Sequence, residues 1–257
     1  MILVPFIEAK SVAFTSMYAE LEGSQDAPDL ICLHGGVGTG RYHWSKQVKM
    51  LAERFRVHLA DLPGHGHTPA PDDVEYGRDV HVAALTEYLE ERDGPSHVAG
   101  FSMGGHTALA LVAERPELFA SLVLVGVSVR RHPGLEDWRG LFQPDTLQEK
   151  YPLWVRQLAK IHAPLGEDAW RDVCLRDSSG LEVDVDVEAL GALDAPVLLI
   201  RGDRDHVVGP GHYEELREVW EQADELVVPK GAHDVQLTRS VIVRPALADF
   251  YDEVLKD

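Results

Sequence analysis

Short apolar runs alternate along the chain with stretches in which apolar residues recur at helical spacing. The runs cover residues 30–33, 57–60, 97–99, 122–125, 196–200 and 225–228. The helical spacing covers residues 44–54, 80–89, 107–113, 212–222 and 239–255. Continuous apolar runs are typical of strands that are covered on both faces. Their alternation with helices predicts βαβ crossovers and a mainly parallel sheet, and the looser alternation over residues 11–22 favours antiparallel edge strands.

This alternation stops in the middle of the chain. Residues 129–190 show helical patterns at 146–161 and 167–175 and no convincing strand. The pattern therefore predicts an α/β core formed by residues 1–128 and 191–257, with residues 129–190 as a helical insertion.

Composition limits the partners that we expect. The 257 residues include 43 acidic and 24 basic side chains, for a formal net charge of −19. This length suits one large domain or a core with a modest insertion. So acidic a surface repels phosphate backbones and anionic membranes, which argues against nucleic acid or a membrane as partner. The sequence leaves open whether the protein is a monomer or a homodimer.

Cysteine content and the N-terminus indicate the compartment. Two cysteines, Cys32 and Cys174, make no disulfide framework, and Cys32 lies in an apolar run where we expect a small buried side chain. The first residues have no basic lead, and Pro5 and Glu8 break and end their apolar run. That pattern fits neither a signal peptide nor a membrane span, so we expect a cytoplasmic protein.

One short motif carries candidate chemistry. Gly100-Phe101-Ser102-Met103-Gly104-Gly105 has the form G-x-S-x-G and stands between an apolar run and a helical pattern. In a strand–turn–helix setting, this motif holds a serine in a strained turn with its hydroxyl exposed, and small neighbours are needed for close backbone approach. Ser102 is therefore a candidate nucleophile. The alternative is a tight glycine turn in which the serine is incidental.

A serine nucleophile needs a base and an acid that orients the base. In parallel sheets, ligands gather at the carboxyl ends of the strands. Asp203 and Asp205 follow the run 196–200, and His233 follows the run 225–228. The chain order serine, acid, histidine is the order that accompanies this motif, with either aspartate as the acid.

Five segments together resemble a known family. They are Leu33-His34-Gly35-Gly36, Asp61-Leu62-Pro63-Gly64-His65-Gly66, the serine motif, Gly202-x-x-Asp205 and Gly231-Ala232-His233. The chain resembles a serine hydrolase of the α/β-hydrolase fold family, with a helical lid inserted after the sixth core strand. The motifs are most similar to those of small carboxylesterases, enol-lactonases, perhydrolases and carbon–carbon bond hydrolases.

The resemblance implies a role for each candidate residue. Ser102 attacks the carbonyl, His233 accepts its proton, and Asp205, which fits the family pattern better than Asp203, orients the imidazole. The oxyanion is expected to meet the backbone N–H of Met103 and, by resemblance, that of Gly36. Asp234 follows His233, where the family often has an aromatic residue.

The expected substrate pocket is less specific. We expect its wall to include Val37, Arg41, Trp138, Phe142 and Trp154. The aromatic residues of the insertion, Trp170 among them, either form its own small core or line an apolar pocket. Arg41 or the pair Arg130-Arg131 either holds a substrate carboxylate or is solvated surface arginine.

Other polar features have simpler interpretations. His34 is expected to hold the first glycine loop by hydrogen bonds without taking a proton. His65-x-His67 lacks further metal ligands, and the glycine loop 36–40 lacks the lysine of a phosphate loop. We therefore expect a hydrolase without metal or cofactor that cleaves a small ester, thioester or lactone through an acyl-enzyme. The alternatives are carbon–carbon bond hydrolysis with the same residues, or a ligand sensor with little turnover.

Overall fold

The computed structural model describes residues 17–72, 74–179 and 182–256, and these residues contain one seven-stranded sheet. Its strands are β1 (Ala19–Glu22), β2 (Asp29–Leu33), β3 (Arg56–Ala60), β4 (Ser96–Phe101), β5 (Phe119–Val125), β6 (Val197–Gly202) and β7 (Asp224–Val228). The spatial order is β1-β3-β2-β4-β5-β6-β7, with β1 antiparallel to β3 and all other pairs parallel. The predicted parallel sheet with an antiparallel edge is confirmed. A further strand predicted near residues 12–14 lies outside the described residues.

Helices cover both faces of the sheet and the region between β5 and β6. They are α1 (Gly40–Trp44), α2 (Val48–Leu51), α3 (Arg78–Glu90), α4 (Met103–Glu114), α5 (Pro133–Gly140), α6 (Pro144–Lys150), α7 (Pro152–His162), α8 (Ala169–Ser179), α9 (Gly211–Val219), α10 (Val235–Thr238) and α11 (Ser240–Val254). Among the described residues, none of these helices has the length and apolar character needed to cross a membrane.

Successive residues of the central strands contribute to two separate apolar clusters. In β5, Leu122 and Leu124 pack with residues of α3, α4 and α9, whereas Val123 and Val125 pack with residues of α2 and α11. Side chains of a strand alternate between the two faces of a sheet, so a strand that is apolar at every position requires cover on both sides. This is why the continuous apolar runs identified the strands correctly. Cys32 is buried in the second cluster, as expected.

Four helices, α5 to α8, lie between β5 and β6, and they share an apolar cluster with the loop after β2. The single helix predicted over residues 146–161 is wrong, since α6 ends at Lys150 and α7 begins at Pro152. Proline disfavours a helical conformation in the residue before it, and Tyr151 accordingly has φ −133° and ψ 52°. The helix α5 was not predicted.

The helix predicted over residues 44–54 is also two helices, α1 and α2, with α1 beginning earlier at Gly40. Thr39 caps α1, because its Oγ1 accepts a hydrogen bond from the Tyr42 N–H at 3.2 Å. The Trp44 indole N–H donates to the Leu33 carbonyl at 3.0 Å, and the Gln47 amide donates to the Gln236 carbonyl at 2.5 Å. These bonds hold the residues on either side of the break, and helical spacing does not reveal them.

The turn between β4 and α4 packs tightly against its surroundings. A Cβ on Gly100 would lie 2.6 Å from the Cα of Gly105, and a Cβ on Gly104 would lie 2.6 Å from the His34 carbonyl oxygen. The Gly104 N–H also donates to that carbonyl at 2.9 Å. The start of α4 is thus joined directly to the end of β2, and only glycine allows this distance.

We predict that Gly104→Ala lowers the free energy of unfolding by about 1–3 kcal/mol, because the new methyl group forces backbone apart. Gly140→Ala is the matched control, since Gly140 is also helical and has no atom within 4 Å of the added Cβ. Its stability is expected to change by less than about 1 kcal/mol. Urea unfolding of both variants measures the difference, and equal stabilities would contradict the close approach.

Candidate active site

Ser102 occupies the turn between β4 and α4 with φ 47° and ψ −114°. A left-handed φ is unusual for a residue with a side chain. The Ser102 N–H donates to the Val125 carbonyl at 2.8 Å, and the Ser102 carbonyl accepts from the His106 N–H at 2.8 Å. These bonds hold a strained backbone in place at the carboxyl end of the central strands.

Two other polar residues converge on Ser102 from the ends of β6 and β7. His233 Nε2 lies 3.0 Å from Ser102 Oγ, and His233 Nδ1 lies 2.9 Å from Asp205 Oδ2. Asp205 Oδ1 accepts the N–H groups of Val207 and Val208 at 2.8 and 3.0 Å. All three members of the predicted set are thus joined in one hydrogen-bonded chain.

The ionisation state of Asp205 determines which ring nitrogen of His233 carries the proton. Burial by itself would raise the pKa of Asp205, but the hydrogen bond and charge of His233 and the two backbone N–H donors outweigh it, so the pKa is lowered. An ionised carboxylate only accepts, so His233 Nδ1–H donates to it and Nε2 is left to accept from the serine hydroxyl. Asp203 is exposed, and of the two aspartates it is Asp205 that contacts His233.

Two residues that line the space beside Ser102 have backbone N–H groups without a partner among the described residues. Met103 is the first residue of α4, where a helix leaves N–H groups without an intrahelical partner. Gly36 and Met103 both line this space, and neither N–H donates to another residue within the described parts of the chain. Both are therefore available to an oxygen atom bound next to Ser102.

Two neighbouring spaces meet at Ser102. The larger, here named the large cavity, has a volume of about 700 Å³ and a mainly apolar lining that includes Tyr42, Leu141, Trp154, Val207 and Leu237. The smaller, here named the small recess, has a volume of about 40 Å³ and is lined in part by Arg78, Arg139, Asp177 and Glu182. Four of the described residues line both spaces: Gly36, Ser102, Trp138 and Phe142.

Four of the five predicted pocket residues line the large cavity: Val37, Trp138, Phe142 and Trp154. Trp170 is buried instead in the apolar cluster of α5 to α8, together with Leu158 and Val173. Phe142 belongs both to this cluster and to the cavity wall, so the two interpretations of the aromatic residues in the insertion are not exclusive.

The prediction for Arg41 is wrong, since its side chain lines neither space. Its guanidinium binds the carboxylates of Glu20 and Glu22 in β1, because the position of Arg41 on α1 directs its side chain toward this edge strand. Arg130 is likewise paired with Glu215 on the surface. The arginines that do reach the vicinity of Ser102 are Arg78 and Arg139, which the sequence did not single out.

Comparison with known proteins agrees with this geometry. Residues 28–163, more than half of the chain, match the family model described as alpha/beta hydrolase fold. The chain belongs to the α/β-hydrolase family. The family, the fold class and the expectation of a hydrolase are thereby confirmed.

Relatives of this α/β-hydrolase include Esterase Rv0045c of Mycobacterium tuberculosis, 31% identical, with 82% of this chain and 78% of the relative covered. Another is a pimeloyl-[acyl-carrier protein] methyl ester esterase of Aeromonas hydrophila, which is 28% identical, with 84% of this chain and 92% of the relative covered. Among solved structures, the carboxylesterase CesB of Bacillus subtilis has a TM-score of 0.76 at 20% identity, covering 94% of this chain and 89% of that one. The structural likeness shows the shared fold.

The loop after β2 of this α/β-hydrolase is held by two residues that the sequence analysis missed. Val37 has φ 51°; its N–H donates to Asp177 Oδ2 at 2.5 Å, and its carbonyl accepts from His162 Nε2 at 3.1 Å. His162 Nδ1 accepts from the Gly66 N–H at 3.0 Å. Asp177 and His162 belong to α8 and α7, 140 and 125 residues from Val37, and no local motif marks them.

Asp177 also binds a buried histidine. His65 Nε2 lies 3.1 Å from Asp177 Oδ2, and His65 Nδ1 lies 3.2 Å from the Pro63 carbonyl. Both partners accept only, so both ring nitrogens donate when the ring is protonated. Burial lowers the pKa of His65, but the Asp177 charge outweighs it and the pKa is raised. Burial raises the pKa of Asp177, yet the charge of His65 and the hydrogen bonds that Asp177 accepts from His65 and Val37 lower the pKa overall.

The other histidines of these loops have separate roles. His34 Nδ1 donates to the Gly35 carbonyl at 2.8 Å and His34 Nε2 accepts the Leu62 N–H at 3.0 Å, which confirms its predicted hydrogen bonds. His67 contacts Asp61 at 3.1 Å, so it and His65 bind different carboxylates. Within residues 17–72, 74–179 and 182–256, no three His, Cys, Asp or Glu side chains are grouped to hold a metal.

We predict a pH-dependent loss of stability in His65→Gln. A histidine whose pKa is raised in the folded state stabilises the fold when it is protonated. This stabilisation is complete at pH values below the ordinary histidine pKa of about 6.5, and it is lost as pH rises through the raised pKa of the folded state. The difference in unfolding free energy between wild type and His65→Gln should therefore shrink between pH 5.5 and 8.5.

His106→Gln is the control of opposite sign. Burial lowers the pKa of His106 to about 3, so the stabilisation that the neutral ring contributes is lost as pH falls. The difference in unfolding free energy between wild type and His106→Gln should therefore grow with pH. Urea unfolding at a series of pH values measures both. A His65→Gln difference that grows with pH would contradict a charged His65–Asp177 pair.

Proposed function

We propose that this α/β-hydrolase is a serine ester hydrolase that acts through an acyl-enzyme. Ser102 is the nucleophile, His233 the general base and acid, and Asp205 the residue that orients the imidazole. The proposal depends on one observation above all, the continuous hydrogen-bonded chain from Ser102 Oγ through both nitrogens of His233 to Asp205. The names of the relatives, which are esterases, support ester hydrolysis.

The geometry leads to a two-step reaction. Ser102 Oγ attacks the substrate carbonyl while its proton passes to His233 Nε2, and the same proton then goes to the departing alcohol oxygen. Asp205 stays ionised and stabilises the imidazolium that forms between these transfers. In the second step, His233 takes a proton from water, which attacks the acyl-enzyme. His233 then returns this proton to Ser102 Oγ as the bond between Oγ and the acyl carbon breaks and the acid is released. Side chains and backbone groups of the chain supply every step.

Backbone N–H groups of Gly36 and Met103 stabilise the oxyanion in both steps. Each such donor lowers the barrier by about 3 kcal/mol, and the N-terminus of α4 adds a favourable dipole. Asp177 and His162 fix both polar groups of Val37, and so they set the position of the adjacent Gly36 N–H.

The described residues of 129–190 form a lid over the site, and the other described residues form the core. Support comes from the position of α5 to α8 between β5 and β6 and from Trp138, Phe142 and Trp154 in the wall of the large cavity. The substrate is a small-molecule ester, thioester or lactone, since an apolar cavity of this size suits an organic ligand.

Ser102→Ala tests the nucleophile. We predict that kcat for p-nitrophenyl acetate falls by about 10⁴-fold or more, whereas the free energy of unfolding changes by less than about 1 kcal/mol. The measurement uses steady-state kinetics together with labelling of wild type by a fluorophosphonate. A variant as active as wild type would exclude Ser102 as the nucleophile.

The choice of acid is tested with two asparagine variants. We predict that Asp205→Asn lowers kcat by about 10³-fold or more, because the amide no longer fixes the imidazole tautomer. Asp203→Asn is the matched control, and since Asp203 is exposed, we expect kcat within about twofold of wild type. A larger loss at position 203 would reverse the assignment.

A further inference from the structure

The two spaces at Ser102 differ in their relation to His233. His233 lines the large cavity, along with its neighbours Ala232 and Asp234. Of the described residues that line the small recess, none belongs to this segment; the recess is bounded by Met103, His106 and Thr107 of α4 instead. The imidazole therefore borders the large cavity directly, whereas the recess approaches it through Trp138, which lines both spaces and has its ring centroid 5.9 Å from that of His233.

This asymmetry bears on the orientation of a bound ester. The tetrahedral carbon formed on Ser102 carries the serine oxygen, the oxyanion, the alcohol oxygen and the acyl chain. The oxyanion lies toward the N–H groups of Gly36 and Met103. The alcohol oxygen must come within hydrogen-bond reach of His233 Nε2 to receive its proton, so the alcohol lies on the side of the large cavity. The acyl chain takes the remaining direction, toward the small recess.

The sizes of the two spaces then set the substrate class. The recess, with a volume of about 40 Å³, is much the smaller of the two spaces and suits a short acyl group. The large cavity, at about 700 Å³, lies within the range of roughly 300–1,000 Å³ typical of organic ligands. We infer that the preferred substrates are esters of a short acid with a large apolar alcohol, an inference that rests on the proposed function.

The linings agree with this orientation. Charged side chains of Arg78, Arg139, Asp177 and Glu182 contribute to the recess, and a long apolar chain there would place methylene groups against charges without satisfying any of their hydrogen bonds. The large cavity presents aromatic and aliphatic side chains, including Trp154 and Leu237, which suit an apolar alcohol.

Two isomeric esters test the inference on the wild-type protein. Hexyl acetate and methyl heptanoate have the same composition and hydrophobicity, but the six-carbon chain is on the alcohol in one and on the acid in the other. Each kcat/KM is divided by the rate of alkaline hydrolysis of the same ester, which removes differences in intrinsic reactivity. Release of acid is followed by titration, with Ser102→Ala as the blank.

We expect the corrected kcat/KM of hexyl acetate to exceed that of methyl heptanoate by about 10-fold or more, since each misplaced methylene in a tight pocket costs about that factor. Equal values, or a preference for methyl heptanoate, would overturn the orientation while leaving ester hydrolysis intact. No Ser102-dependent hydrolysis of either ester or of p-nitrophenyl acetate would instead overturn the proposed function itself.

A pair of variants locates the acyl group. Leu135 lines the recess alone and Leu237 lines the large cavity alone. Leu135→Ala should raise the ratio of kcat/KM for hexyl butanoate over hexyl acetate by about fivefold or more, whereas Leu237→Ala should leave this ratio within about twofold of wild type. A ratio that responds to Leu237→Ala and not to Leu135→Ala would assign the acyl chain to the large cavity and refute the inference.

Discussion

The close packing of the turn at Ser102 is the constraint on which the site depends. The turn carries a left-handed serine. It persists because Gly100 and Gly104 allow backbone contacts that no Cβ would permit, and because Gly105 leaves room for the Val127 side chain. The same contacts tie α4 to the end of β2 through the bond from Gly104 to His34. This close packing therefore fixes the relative positions of the serine hydroxyl, the first N–H groups of α4 and the start of the glycine loop.

The glycine loop depends in turn on the helices between β5 and β6. Val37 has a strained φ, and its N–H and carbonyl are both bound by residues of those helices, Asp177 and His162. A surface loop of glycines would otherwise sample many conformations, at an entropic cost when it binds an oxyanion. These helices therefore influence the geometry of the loop as well as the shape of the cavity. A change in α7 or α8 is expected to alter the position of Gly36.

Buried histidines in this protein differ in charge because their partners differ. His34 has one acceptor and one donor as neighbours, which suits the neutral ring, and burial holds its pKa well below the ordinary value. His65 has two acceptors, one of them a carboxylate, and its pKa is raised. Burial alone does not decide the state of a histidine; the hydrogen-bond partners do.

The sequence by itself determined the parallel sheet, the strained serine turn and the candidates Ser102 and His233, and its motifs carried the resemblance to the family. Each of these leaves a local signature: continuous apolar runs, closely spaced glycines, or a polar residue directly after a strand. For the acid, position after a strand fitted both Asp203 and Asp205, and the resemblance favoured Asp205. Tertiary structure alone decided what depends on contacts between distant segments. It separated Asp205 from Asp203 by contact with His233, moved Arg41 to the sheet edge, and brought Asp177, His162 and Arg139 to the site. The contacts of Asp177 and His162 with Val37 join residues more than a hundred positions apart, and neither hydrophobic periodicity nor a short motif records such a pairing.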